Sequence, residues 1–150
     1  MTAALPFRLL FRVRYHECDA QGIVFNARWA EYADLAAGEF CRATLGSLHP
    51  SVTGFDWKLV RQTIEWKRPG RYDDVIEARV RCVQVGTTSF TLATEFLHWP
   101  DSAPLVSVET VCVATHPTQG TRQPVSDDHR RKLGVGAPGV VVDHAGALRA

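Results

Sequence analysis

The chain has 150 residues, 45% of them hydrophobic and 22% charged, with 17 basic against 16 acidic side chains. That length holds one domain with a sizeable core, and a formal net charge of +1 supplies no field of the kind that draws a chain to nucleic acid or to a membrane surface. The opening residues carry no basic start ahead of an apolar core, and no uncharged apolar run approaches the ~20 residues of a membrane span, so a cytoplasmic protein is expected.

In chain order, residues 8–15 alternate, Leu9, Phe11, Val13 and Tyr15 against Arg8, Arg12 and Arg14, which predicts a half-buried strand. A loop holding Asp19 and Gly22 follows. From Ala27 to Leu45 the period becomes helical, and Gly46 stands where a C-cap glycine belongs. The polar residues Arg28, Glu31, Asp34, Glu39 and Arg42 make only a narrow stripe on this helix, so it must be covered on most sides. Strand patterns come next at residues 58–67, with Val60, Ile64 and Trp66 on one face, then at 75–85, 89–99 and 105–116. They are punctuated by Pro69-Gly70, Gly86, Pro100-Asp101-Ser102 and Pro117. Residues 124–133 read as a short charged helix. Domain boundaries follow: residues 1–134 form the folded unit, and the Gly-, Ala- and Val-rich residues 135–150 a loosely ordered tail. One strand, one buried helix and four further strands predict an α+β fold, a five-stranded antiparallel sheet curled around one long helix.

The chemistry concentrates at residues 15–32. Asp19 lies a few residues before a helix start, where free N–H groups and the positive end of the helix dipole can hold a developing oxyanion. A carboxylate beside such a donor is the outline of a hydrolytic site, although an Asp in such a loop also serves simply as a turn former. Asn26 has two open readings, a side-chain N-cap for the helix or a backbone N–H donor to the substrate.

The segment Asp19, Gly22, Ile23-Val24, Phe25, Asn26 resembles the signature of the hotdog-fold acyl-CoA thioesterases of the 4-hydroxybenzoyl-CoA thioesterase type. So do Pro69-Gly70-Arg71-Tyr72-Asp73-Asp74-Val75, Val85-Gly86-Thr87-Thr88-Ser89-Phe90 and the Pro124-Val125 that leads into the last helix, all in the family's order. The resemblance implies a hotdog fold and hydrolysis of an acyl thioester to a carboxylic acid and free coenzyme A. Asp19 then acts as nucleophile or general base, and the Asn26 N–H polarises the thioester carbonyl. It further implies an acyl-CoA substrate met by Gly22, Val24, Phe25, Trp29, Thr88 and Ser89, no cofactor, and a homodimer or homotetramer. A different class stays open on the same fold: a non-catalytic module that binds acyl-CoA or acyl-carrier protein.

Other patterns carry less. His16-Glu17-Cys18-Asp19 suggests a metal cluster, but on a continuing strand these side chains alternate between faces and cannot converge, so no metal is expected. Cys18, Cys41, Cys82 and Cys112 form no close pair and read as free thiols, with no fixed His to activate Cys18. Residues 134–139 match G-x-G-x-x-G literally but follow a helix, contain Pro138 and leave no room for a βαβ unit. Arg61, Lys67, Arg68, Arg71, Arg79 and Arg81 gather on two strand patterns, as a solvated face or as partners for coenzyme A phosphates. Phe25, Trp29, Trp57 and Trp66 are candidates for the floor of an acyl pocket. Leu97, Trp99, Val111 and Val113 are expected on an apolar outer surface.

Overall fold

The computed structural model describes residues 3–149. Its strands are β1 (Phe7–Arg12), β2 (Asp56–Trp66), β3 (Val75–Val85), β4 (Ser89–His98), β5 (Pro104–Thr115) and β6 (Val141–Asp143), and its helices α1 (Arg28–Leu45), α2 (Pro50–Thr53) and α3 (Asp127–Val135). One sheet contains all six strands in the order β2-β5-β4-β3-β1-β6, with β6 parallel to β1 and every other pair antiparallel.

Helix α1 starts within one residue of its expected start and ends, as expected, at Leu45. Gly46 adopts a left-handed conformation (φ 83°) and returns its N–H to the Arg42 carbonyl, closing the helix as a residue without a Cβ can. Trp29, Tyr32, Ala33, Ala36, Phe40 and Cys41 recur at helical spacing and are all buried. They pack on the concave face of the sheet against Phe7, Leu9, Phe11 and Val13, Ile76, Ala78 and Val80, and the inward residues of β4 and β5. Truncating one of the fully buried rings, Phe40 for example, removes contacts worth ~3–5 kcal/mol. Among the described residues no helix is long and apolar enough to cross a membrane.

The sheet departs from expectation in four places. It has six strands, not five, and is mixed rather than purely antiparallel. The sixth strand comes from beyond Gly134: β1 would otherwise present an unpaired edge, and the Arg8 N–H reaches the Val140 carbonyl (3.0 Å) while the His144 N–H reaches that of Leu10 (2.8 Å). Strand β1 stops at Arg12 rather than Tyr15. Residues Tyr15–Glu17 form a 3-10 turn, because the Glu17 carboxylate takes both the Arg14 N–H (2.8 Å) and its guanidinium (3.0 Å), and Tyr15 is left 80% exposed. A bulge between Leu59 and Arg61 breaks the alternation of β2, so Val60 is exposed rather than sharing a face with Ile64. Finally, Leu97 is buried, not part of an outer apolar surface. It lies across the sheet from Glu77 and Leu10, also buried, and Glu77 is held there by Arg79 (2.6 Å) and Arg8 (3.8 Å).

Candidate active site

The loop between β1 and α1 is built from its own hydrogen bonds. The Gly22 N–H donates to the Asp19 carbonyl (3.0 Å) and the Asp19 N–H to that of Ile23 (2.9 Å), closing a tight turn in which Gly22 sits at φ +74°. Asp19 Oδ1 accepts from the Gln21 N–H at 2.8 Å, which orients the carboxylate, and Oδ2 has no protein partner among the described residues. Two anchors hold this turn from outside. The Val24 N–H donates to the Gly70 carbonyl (2.8 Å) and the Tyr72 N–H to that of Gly22 (3.3 Å), while the Phe25 N–H donates to Glu17 (2.9 Å). Asp19 is thereby fixed between the 3-10 turn, the start of α1 and the segment leading into β3.

Asn26 does not cap the helix. Ala27 is the N-cap and has no side-chain bond to offer, so the capping reading of Asn26 is set aside. The Asn26 N–H, in contrast, finds no acceptor among the described residues. Asn26 immediately precedes the N-cap of an 18-residue helix, so this free donor lies beside the positive end of the helix dipole.

Asp19, Val24, Phe25, Asn26 and Trp29 line one cleft of about 390 Å³, joined by Gln21, Ile23, Trp66 at the end of β2, and Lys67, Arg68 and Pro69 just after it. Trp29 and Val24 form its buried floor, whereas Phe25 and Trp66 are about half exposed at its walls. Gly22 lies on the far side of the Asp19 turn, in a second recess with Tyr15 and Tyr72. Thr88 and Ser89 are not brought to the cleft within one chain. They sit in the β3–β4 hairpin, where the Thr88 carbonyl accepts from Ala114 (2.8 Å) and that of Ser89 from Gly86 (2.7 Å). The register from Val85↔Phe90 to Ile76↔His98 puts roughly 30 Å of strand between that hairpin and the Asp19 end of the sheet. Trp57 is elsewhere too, packed on Phe55 (5.7 Å) and Phe90 (6.2 Å).

The basic residues disperse. Arg79 pairs with Glu77, Arg61 with Glu109 and Lys67 with Glu95 (4.0 Å), and the cations that line the cleft are Lys67 and Arg68. Gln21 and Pro69 were not foreseen there. Nothing local marks them, since their position depends on where the β2–β3 connection crosses the loop.

Electrostatics separates the neighbouring groups. Burial works to raise the Glu17 pKa, but hydrogen bonds from the Arg14 side chain and backbone outweigh it and hold the carboxyl below its ordinary value. Burial, reinforced by the charges of Glu17 and Asp19, pushes the Cys18 thiol up, the wrong direction for a nucleophile at neutral pH. Tyr32 is likewise raised, by burial and by Glu17, and stays a neutral phenol. Residues 16–19 do not alternate between two faces as a continuing strand would, because Tyr15–Glu17 is a 3-10 turn. Among the described residues no group of three His, Cys, Asp or Glu side chains is placed to hold an ion.

One sheet packed around one long helix is the architecture of the hotdog class of proteins. The chain belongs to the thioesterase superfamily, whose sequence profile matches residues 21–98. A relative from Aquifex aeolicus (strain VF5), named as a candidate esterase, is 33% identical over 91 residues, covering 59% of this chain and 70% of the relative. Among solved structures, a hypothetical protein from Aquifex aeolicus superposes with a TM-score of 0.77 at 25% identity, over 85% of this chain and 99% of that one. A thioesterase-superfamily protein from Jannaschia sp. CCS1 gives 0.81 at 21% identity over 93% and 99%. A 1,4-dihydroxy-2-naphthoyl-CoA thioesterase from Synechocystis gives 0.74 at 18% identity over 85% and 94%. The last two likenesses are of fold.

Proposed function

We propose that the protein hydrolyses an acyl-CoA thioester to a carboxylic acid and free coenzyme A, as a thioesterase of the 4-hydroxybenzoyl-CoA type. The observation that carries this reading is one cleft in which an oriented carboxylate with a free oxygen and an unpaired helix-start N–H lie over an aromatic floor. The Asn26 N–H holds the thioester oxygen and gains strength as negative charge builds on it. Asp19 either attacks the carbonyl carbon itself or takes the proton from an attacking water. In both routes the C–S bond breaks, the thiol leaves with a proton, and one water is consumed overall. Lys67 and Arg68 offer cations to the anionic carrier.

The working unit in this reading is a homodimer or a dimer of dimers. Strand β2 is an open edge 11 residues long, on which Leu59, Val60 and Trp66 are each more than half exposed. Thr88 and Ser89 join a substrate only across such an interface, from the second copy.

Release of free thiol from a panel of acyl-CoA esters, followed with a thiol-reactive dye, tests the proposal. Wild-type protein turns over at least one ester, and Asp19→Asn loses ~10²–10⁴-fold while keeping its fold, since Asn can still accept from Gln21. A variant with half the wild-type turnover refutes the role of Asp19. A wild type that binds acyl-CoA and releases no thiol is instead a binding module.

A further inference from the structure

Gly70 occupies a position where no positive φ calls for glycine. What the site lacks is room. A Cβ at Gly70 would stand 3.2 Å from Trp29 Cζ2, 3.2 Å from Val24 Cγ2 and 3.4 Å from Trp29 Cη2, all inside the ~3.5–4.0 Å of an optimal carbon contact. Those two side chains are the buried floor of the cleft that holds Asp19 and Asn26.

The direction in which they can yield is set by their other neighbours. The Trp29 indole is boxed on the core side by the rings of Tyr32, at 5.4 Å, and Phe96, at 5.3 Å. Phe96 is fully buried, and a close-packed core resists displacement. Val24 is tied to Gly70 itself through the Val24 N–H. Away from these contacts, both side chains border the cleft. An added methyl at position 70 therefore pushes the floor upward into the space a substrate would fill.

From this we infer that Gly70 is a specificity-determining residue that sets the depth of the cleft, and so the largest acyl group it accepts. The inference rests on the proposed function in taking this cleft as the acyl site. Gly70 touches no reacting atom and acts through Trp29 and Val24.

The test compares acetyl-CoA, hexanoyl-CoA and phenylacetyl-CoA as substrates of wild type, Gly70→Ala, Trp29→Phe and the double variant. In Gly70→Ala, kcat/KM for phenylacetyl-CoA falls relative to acetyl-CoA by ~10–200-fold, the range for one methylene too many in an apolar pocket. The loss lies in KM, and hexanoyl-CoA falls between. Trp29→Phe moves the ratio the other way, and in the double variant it restores the larger substrate. A folded Gly70→Ala with an unchanged ratio, or one that loses acetyl-CoA equally, overturns the inference. Should Gly70→Ala not fold, Trp29→Phe alone decides, and an unchanged ratio there overturns it as well. If wild type hydrolyses no ester, the proposed function falls separately. Depth is then read by tryptophan-fluorescence titration with phenylacetate and acetate. Gly70→Ala weakens phenylacetate binding alone, and equal effects, or no phenylacetate binding by wild type, overturn the inference.

Discussion

The contrast between Asn26→Ala and Asn26→Pro isolates a backbone role from a side-chain role. Asn26 precedes the N-cap and makes no side-chain hydrogen bond to the helix, so Asn26→Ala removes no cap and leaves stability within ~0.5 kcal/mol of wild type. Its N–H is unchanged, and turnover stays near wild type. Proline at the same position deletes that N–H and, with it, one oxyanion donor, a loss of ~10²–10³ in kcat. The fold tolerates the change, because the Asn26 N–H has no protein acceptor to lose and the neighbouring Phe25 N–H bond to Glu17 stays in place. The assay is thiol release at saturating acyl-CoA for both variants, beside urea unfolding curves that confirm folding. Alanine inactive and proline active, with both folded, would falsify the backbone assignment and move the work to the side-chain amide.

Three further outcomes are expected. Gly22→Ala places a Cβ in open space, so its whole cost is the left-handed backbone at φ +74°, ~1–2 kcal/mol on the urea midpoint; a neutral result shows that the turn relaxes into another conformation. Because the folded-state pKa of Glu17 is lowered, its contribution to stability is present above the ordinary carboxylate range and is lost as pH falls through the folded value. Glu17→Gln is accordingly less stable than wild type at neutral pH, with a shallower acid limb in Tm against pH; parallel limbs contradict the Arg14–Glu17 account. Light scattering at micromolar concentration gives a dimer or tetramer, and a species of 16.6 kDa rules out pairing through β2.

Much of this molecule is legible along the chain, and the reason is local. Helix α1 announces itself through apolar residues at helical spacing and a glycine at position 46, and β3 through the alternation of Ile76, Ala78, Val80 and Cys82 with polar residues; both depend on neighbours a few positions away. The same holds for the bonds that close the Asp19–Gly22 turn, all within residues 19–23, whereas the anchors from Gly70 and Tyr72 come from distant chain. Failure begins where a residue's state depends on distant chain. Tyr15 continues an alternating pattern but turns outward, because the buried Glu17 carboxylate recruits Arg14 and ends the strand. Val141–Asp143 carries little strand signal of its own and pairs because β1 has an edge to fill. Thr88 and Ser89, read beside Asp19 as parts of one site, are separated by the length of a sheet whose register no short motif encodes. Trp66 enters the cleft and Trp57 leaves it although both lie on β2, since their places follow from where that strand starts and ends against the helix. Gly70 reads as turn punctuation in the sequence, and only the packing of Trp29 and Val24 against it shows that the missing side chain shapes the site. Local hydrogen bonding and periodicity thus determine the elements and the Asp19 turn, while long-range packing decides which side chains share a cavity.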